Sequence, residues 1–469
     1  MPISRDDKMS ASIASNRSTL KEFLASIATI KGDLSNITAP PFVLAEHSTV
    51  ELPQYWADHP KLFVAPALAE SPEQRALLVL KWFLGSLRNQ QYGGRKEADG
   101  VKKPLNAFLG ELFLGNWVDE EIGETRLVAE QVSHHPPITA CYLWNDKCGI
   151  RAEGFTQQEI SFSGSVSIKQ KGYATLHIDR YDEDYLIPVP NVKVKGILSG
   201  TPYPELTGKY SIVSSTGFVS EIVFEGKGLI IGGTKNRFQA RVFNVDAPKE
   251  DLYIAKGSWN GLFSIDDQRT GKAVHTYDVE TEISIPITVE DISSQDPWES
   301  RKAWQGVSES LKRRDMKSTS NAKSVVEEGQ RHMRKEEKEC GVGWKAVFFR
   351  LYENDAMFEK LSAVDNTGFT VDHTGGIWKI DQDAIKNSKK PYHGNLVPTG
   401  EVQHAVSREL STQEPNGFYQ QPETRVEAPS LAKLKAINPT LGGSTQEKET
   451  PGIVGAEEFL RNKYSSNVY

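Results

Sequence analysis

The sequence predicts a β-dominated α+β fold, a large antiparallel sheet curled into an incomplete barrel, with helices before and after it. Two observations predict this. Between about residues 126 and 289, short runs of alternating apolar and polar residues are separated by Gly, Pro, Asp or Asn; examples are 138–144, 149–155, 160–168, 173–178, 192–198, 218–224, 238–243 and 273–279. On either side of that region the period changes from two to 3.6. Roughly a dozen strands at this spacing must curl or close to hide their edges, and the enclosed space should be an apolar lumen.

The first segment, residues 1–41, carries Met9, Ile13, Leu20, Phe23, Leu24, Ile27 and Ile30 at spacings of three, four and seven, which is one face of a helix. Its other face is mostly hydroxyl: Ser10, Ser12, Ser15, Ser18, Ser26 and Thr29. With few basic residues, such a helix would meet a lipid surface by apolar insertion rather than by Coulomb attraction. The plainer alternative is a helix packed on a core. Gly32 and Pro40-Pro41 end it and give it a hinge.

Residues 42–125 hold a second helix and the start of the barrel. Ser71-Pro72-Glu73-Gln74 combines an N-cap, an early Pro and a Gln three residues on, a capping box. Ala76, Leu77, Leu80, Phe83, Leu84 and Leu87 follow as a buried stripe, and Gly93-Gly94 stops it. Residues 126–290 form the barrel and 291–384 a helical subdomain opened by Pro297-Trp298. Within that subdomain Lys323, Glu327 and Arg331 lie at i, i+4 and i+8, so they share a face. By itself that spacing describes a solvated ladder of ion pairs. From 385 to 469, runs rich in Ser, Pro, Gly, Gln and charge predict a tail without fixed structure.

Composition narrows the function. With 469 residues, 38% hydrophobic and 25% charged, the chain suits a soluble globular protein. A net charge of −7 argues against a general nucleic-acid binder. Three cysteines, Cys141, Cys148 and Cys340, are too few and odd in number for a disulfide framework, and no signal-peptide core precedes them. The expected location is cytoplasmic. The most apolar window, 76–87, contains Lys81 and is too short to cross a bilayer, so any membrane contact is expected to be peripheral.

One motif stands apart. Glu130-Gln131-Val132-Ser133-His134-His135-Pro136-Pro137 ends an apolar strand in two imidazoles and two prolines. Proline removes the amide donor and fixes φ, so the strand must stop there and hold the histidines at a chain reversal. A half-exposed turn is the ordinary reading of a His-His pair. A metal site is disfavoured, because adjacent strand residues point to opposite faces and no spaced His, Cys or Asp stands nearby. A phosphate fits better, since a protonated imidazole donates from both nitrogens. Upstream, Lys102-Lys103-Pro104-Leu105-Asn106 holds a Lys pair that by itself is usually only a solvated charge; beside Asn106 and with the histidine motif downstream, Lys103 offers a point charge and Asn106 a neutral donor of the kind a phosphomonoester accepts.

The run from Glu130 to Ala140, together with Lys102 to Asn106 and Phe108-Leu109-Gly110-Glu111, resembles the oxysterol-binding protein-related family of lipid-transfer proteins. The likeness spans roughly residues 20–350 and is to the short, single-domain fungal sterol and phosphatidylinositol 4-phosphate exchangers. It implies that residues 1–41 are a lid over a lipid tunnel. It implies a phosphoinositide headgroup site at Lys103, Leu105, Asn106, His134, His135, Lys323, Glu327 and Arg331. It also implies a tunnel wall containing Leu34, Ile37, Trp56, Gln91, Tyr92, Thr156 and Gln170. Thr156 departs from the family pattern, in which sterol carriers often have Asn, so the phosphate side matches more fully than the sterol side.

The implied activity is exchange of one sterol for one phosphatidylinositol 4-phosphate between membranes of the Golgi and endoplasmic-reticulum type. No enzyme activity, cofactor, metal or nucleic acid is expected, and the protein is expected to be a monomer. Alternatives are a phosphoinositide sensor or scaffold, a carrier of another lipid such as phosphatidylserine, and an enzyme using His134 and His135 as acid and base. Against the enzyme, the sequence offers no nucleophile with a positioned base and no P-loop.

Overall fold

The computed structural model describes residues 16–30, 32–34, 37, 39–197, 202–226 and 234–401. Its helices are α1 (Arg17–Ala28), α2 (Pro60–Leu68), α3 (Pro72–Tyr92), α4 (Ser300–Ala303), α5 (Gln305–Arg313), α6 (Met316–Cys340), α7 (Ala356–Ser362) and α8 (Gln382–Asn387). A short parallel pair, β1 (Leu44–Ser48) and β2 (Lys103–Leu105), precedes the main sheet. The sheet's strands are β3 (Leu112–Asp119), β4 (Gly123–His134), β5 (Pro137–Asn145), β6 (Ile150–Phe162), β7 (Val166–Ile178), β8 (Glu183–Ile187), β9 (Val192–Lys195), β10 (Tyr203–Leu206), β11 (Gly208–Ser214), β12 (Phe218–Glu225), β13 (Arg237–Asn244), β14 (Tyr253–Ser258), β15 (Leu262–Asp267) and β16 (Lys272–Asp278).

These fourteen strands form one antiparallel sheet whose spine runs from β16 to β3, with β9 and β10 joined at the side of β7. The two ends of the spine do not pair with each other, so the barrel is incomplete. The chain leaving β16 covers the edge of β3 instead. Asn116 and Thr288 exchange backbone hydrogen bonds of 2.9 Å, and Trp117 Nε1 donates to Ile285 O at 2.8 Å. Gly115 makes room for this crossing. A Cβ there would stand 2.6 Å from Ile287 Cδ1 and 2.7 Å from Thr288 O. The sheet thus starts at Leu112, inside the 42–125 segment, and that glycine interrupts the alternation of β3, which keeps the strand out of the alternating pattern that begins near residue 126.

Residues 160–168 are a hairpin rather than one strand. β6 ends at Phe162 and β7 begins at Val166, with Ile160 opposite Ile168 and Phe162 opposite Val166. The alternation reads through the turn because partners across a hairpin share a face.

Helix α3 is covered on nearly every side. The predicted stripe is buried, and so are Val79, Trp82, Gly85 and Ser86, so the helix is an interior element rather than an amphipathic surface one. Of the expected capping box only one half forms: Ser71 Oγ accepts from Gln74 N at 3.2 Å. A buried ion pair fixes the helix to the sheet, Arg75 Nε to Glu183 Oε2 at 2.6 Å, while Arg75 Nη1 satisfies Glu70 O at 2.6 Å.

The C-terminal subdomain carries α4 to α8 and also a two-stranded antiparallel sheet, β17 (Phe349–Tyr352) and β18 (Ile377–Ile380). The predicted boundary at 385 falls too early. Packed chain continues to Glu401: Trp298 Nε1 donates to Leu396 O at 2.7 Å, Gln330 Nε2 to Pro398 O at 2.9 Å, and the His393 ring lies 4.4 Å from Trp298. Its polar composition hid a segment held by hydrogen bonds and one imidazole wedged between indoles. Residues 402–469, and residues 1–15 of the predicted lid, lie outside the described residues.

Candidate functional site

A cavity of about 420 Å³ opens inside the sheet. Its roof is α1 and the chain after it. Leu20, Leu24 and Ile27 repeat at helical spacing and are buried with Leu34 against Ile160, Phe162 and Ile197 at the sheet rim. Two hydrogen bonds pin this roof to β6: Leu34 N donates to Ile160 O at 2.7 Å, and Ile160 N donates to Asp33 Oδ1 at 2.7 Å. Of the hydroxyl face, Ser18, Ser26 and Thr29 are exposed, while Ser10, Ser12 and Ser15 lie outside the described residues.

All seven residues expected on the tunnel wall, Leu34, Ile37, Trp56, Gln91, Tyr92, Thr156 and Gln170, line this one cavity. The placement follows from local chemistry. Trp56 is held by the indole of Trp82, whose Nε1 donates to Trp56 O at 2.7 Å. Gln91 and Tyr92 are the last turn of α3, which Gly93 terminates at φ +56°. Thr156 stands between Thr139 and Gly172 on neighbouring strands. Gln170 spends its amide on Pro190 O at 2.5 Å, so it stiffens the wall more than it offers a free donor.

The cationic cluster is drawn from three distant segments. Lys103 on β2 donates to Asn106 Oδ1, and both line the cavity with His134. His134 Nδ1 lies 3.1 Å from Ala107 O, so that nitrogen carries the proton and Nε2 is left to face a ligand. His134 and His135 sit edge to face, their centroids 4.7 Å apart, with the chain turning at Pro136. Lys323 on α6 is buried and paired with Glu327.

Electrostatics ties these pieces together. Burial first, then the Lys323 charge, pushes the Lys103 ammonium down to about 8, with Glu327 opposing. Burial, the neighbouring His135 and the Arg334 guanidinium hold His134 below the ordinary imidazole value. Two conclusions follow: β2, β4 and α6 converge on one spot, and that spot carries excess positive charge in want of an anion.

Two of the expected residues stand differently. Leu105 is fully buried in the core, so its side chain cannot reach a headgroup and only its main chain remains available. Arg331 is exposed one turn beyond Glu327, and among the described residues it makes no hydrogen bond or ion pair. Arg334, by contrast, was not assigned a role. Its guanidinium lies 4.6 Å over the Trp344 ring and acts on both His134 and His393, the latter pushed down to about 4 chiefly by burial. The i+7 step from Glu327 to Arg334 was a signal in the sequence that the i, i+4, i+8 reading passed over.

Glu130, the first residue of the motif, is fully buried. Its two oxygens accept the amides of Val347 at 2.7 Å and Phe348 at 2.8 Å. Glu111 does the same work nearby, taking Phe108 N and Trp304 Nε1 at 3.0 Å each. Among the described residues no group of His, Cys, Asp or Glu is arranged to hold a metal ion, and no helix is long and apolar enough to cross a membrane.

Fold and site together define a class: an apolar container sized for one small molecule, with a cluster of cations at one side of its mouth. A family model described as oxysterol-binding protein matches residues 23–310. The chain belongs to that family. It is 56% identical over 376 residues to a probable transporter, efuK, of Hormonema carpetanum, covering 80% of this chain and 54% of that one. It is 41% identical over 353 residues to protein kes1 of Schizosaccharomyces pombe, covering 74% and 90%. The chain thus spans about half the length of the first relative and most of the second. Among solved structures, the Osh1 ORD domain in complex with ergosterol aligns at TM-score 0.59 and 20% identity, covering 77% of this chain and 87% of that one. The Osh3 ORD in complex with PI(4)P from Saccharomyces cerevisiae aligns at 0.56 and 18%, covering 71% and 86%. Both likenesses are of fold.

Proposed function

We propose that this protein carries one lipid at a time and exchanges a sterol for phosphatidylinositol 4-phosphate between membranes. The observation that supports it most is a single cavity whose wall and lid are apolar and whose rim holds Lys103, Asn106 and His134 beside Lys323. Its volume lies within the roughly 300–1,000 Å³ of small-molecule pockets. A sterol crossing water would expose some two dozen apolar carbons at about 0.8 kcal/mol each, on the order of 20 kcal/mol, and a closed cavity removes that barrier. Two related folds, one in complex with ergosterol and one with PI(4)P, support the same pair of ligands.

Because both cargoes need the same apolar space, occupancy is exclusive, and exclusive occupancy makes a carrier into an exchanger. The protein acts on this reading as a cytoplasmic monomer that touches organelle membranes transiently, and as no enzyme. Direct transfer between two liposome populations tests it. Sterol is expected to leave donor vesicles faster when phosphatidylinositol 4-phosphate is supplied in the acceptors. Binding of both lipids without any acceleration would instead favour a sensor.

Headgroup binding should also take up protons. In the free protein Lys103 loses its proton near pH 8 and His134 is held neutral, whereas a bound phosphate favours the charged form of each. Affinity is therefore expected to fall as pH rises from 6 towards 9 on the reading of these shifts. Calorimetry at pH 7.5 in buffers of different ionisation enthalpy would reveal the uptake; identical heats in all buffers would count against it.

A further inference from the structure

Helix α6 carries Lys323 and Glu327, yet little in its own composition holds it in place. Its buried residues are Thr319, Lys323, Val326, Gly329, Gln330 and Met333, of which only Val326 and Met333 are large and apolar. Those two join the core cluster that contains Leu105 of β2 and Val132 of β4. Apolar contact is non-directional, so it decides which side of α6 faces the core and leaves sliding and rotation weakly fixed. Among the described residues, one side-chain hydrogen bond runs from α6 to a distant segment: Gln330 Nε2 donates to Pro398 O at 2.9 Å.

Gly329 stands beside that bond. A glycine inside a helix is less favourable than alanine, and Gly329 has no positive φ that would require it. Its use is close approach. A Cβ there would stand 2.3 Å from both the carbonyl carbon and the oxygen of Thr399, and 2.6 Å from its Cα. The backbone near residue 399 thus lies directly on the helix, and no side chain fits between them.

Residues 390–401 form a strap whose other end is fixed to the chain before α4. Lys390 pairs with Glu290 at 2.7 Å and Glu299 at 2.6 Å, and Tyr392 N donates to Asp296 Oδ2 at 3.0 Å. The His393 ring lies 4.4 Å from Trp298 and 4.6 Å from Trp344, and Trp298 Nε1 donates to Leu396 O at 2.7 Å. Trp298 packs edge-on against Phe108 at 5.8 Å. Phe108 follows Asn106 and Ala107, and the Ala107 carbonyl holds His134. A continuous series of contacts therefore runs from α6, through the strap and Trp298, to the turn that carries Asn106 and orients His134.

Resting on the headgroup reading above, we infer that the strap sets α6 against β2 and β4, and that Gly329 and Gln330 are positioning residues for phosphoinositide recognition. The apolar cargo does not need them. Among the described residues, none that lines the cavity belongs to α6 or to the strap. A phosphate is small and its hydrogen bonds are directional, so a helix displaced by about 1 Å loses them, while an apolar wall built from other elements is unchanged.

The test measures binding of the full chain to liposomes containing phosphatidylinositol 4-phosphate and, separately, to dehydroergosterol. Gly329→Ala forces the strap off the helix and is expected to weaken phosphoinositide binding by at least about tenfold, with sterol binding held within about threefold. Gln330→Met keeps the length and helix propensity of the side chain and removes only the donor to Pro398 O; a loss of about threefold to tenfold for the phosphoinositide alone is expected. Gly306→Ala is the control, because a Cβ there meets Ala322 Cβ at an ordinary 3.5 Å, and it should alter neither lipid. Unchanged phosphoinositide binding in Gly329→Ala would overturn the inference. So would equal losses of both lipids, which would make the strap a support for the whole fold. Where Gly329→Ala does not fold, Gln330→Met decides by the same ratio. A wild type that takes up dehydroergosterol but no phosphatidylinositol 4-phosphate would instead remove the headgroup reading, and the inference with it.

Discussion

Replacing His134 and His135 together by alanine is expected to weaken phosphatidylinositol 4-phosphate uptake by roughly two to four orders of magnitude. Each imidazole offers a charge-assisted hydrogen bond worth about 1.5–3 kcal/mol, and about 1.4 kcal/mol is a factor of ten. Lys103 and Lys323 remain in the double variant, but as point charges without the geometry to replace two directed donors. Sterol uptake should change by less than about tenfold, because His134 touches the cavity at its cationic side and His135 is absent from its lining. Folding should be largely kept, since the His134 ring makes one bond to the protein, to Ala107 O. Titration with each lipid in turn reads the two losses separately. Equal losses of both would show that the histidines support the container as a whole rather than the headgroup.

That division between headgroup and body was visible in the sequence to different depths. The motif around His134 was legible because its histidines stand at a proline turn, and the pair Lys103 and Asn106 because a point charge and a neutral donor sit three residues apart upstream of it. The wall residues were legible only through resemblance. Nothing local marks Gln170 as a cavity residue, since it sits between two lysines in a strand whose alternation is weak. His47 was illegible for a similar reason. In Leu44-Ala45-Glu46-His47-Ser48 a histidine beside a glutamate reads as a solvated strand, yet His47 lines the cavity. β3 stood outside the alternating pattern, though within the segment read as the start of the barrel, because Gly115 serves a crossing by the chain about 170 residues on, a tertiary demand with no local signature. The segment to Glu401 was missed because its anchors, Trp298 and Gln330, are remote in sequence.

Glu130→Ala is expected to lower stability by about 2–6 kcal/mol, because two buried amides, those of Val347 and Phe348, lose their acceptor at a cost of about 1–3 kcal/mol each. The same change should loosen phosphoinositide binding. Val347 and Phe348 follow on the loop from α6, so the carboxylate of Glu130 ties the end of that helix, with Lys323, Glu327 and Arg334, to the chain that carries the histidines four and five residues further on. Glu130→Gln separates the two roles of the side chain. Its carbonyl still accepts one amide, but its NH₂ meets the other donor head on, so an intermediate loss is expected. The pH dependence has a definite sign. Burial pushes the Glu130 carboxyl up to about 7 against the pull of the two amides, above its value of 4.5 in a free side chain. The folded state therefore holds this proton more tightly than the unfolded chain does. The contribution is fully present below about pH 4.5 and is lost as pH rises through about 7. Denaturant unfolding at pH 5 and pH 8 should accordingly show a larger gap between wild type and Glu130→Gln at pH 5. A gap of the same size at both values would mean that the carboxyl stays ionised in the folded protein, held by its two amides.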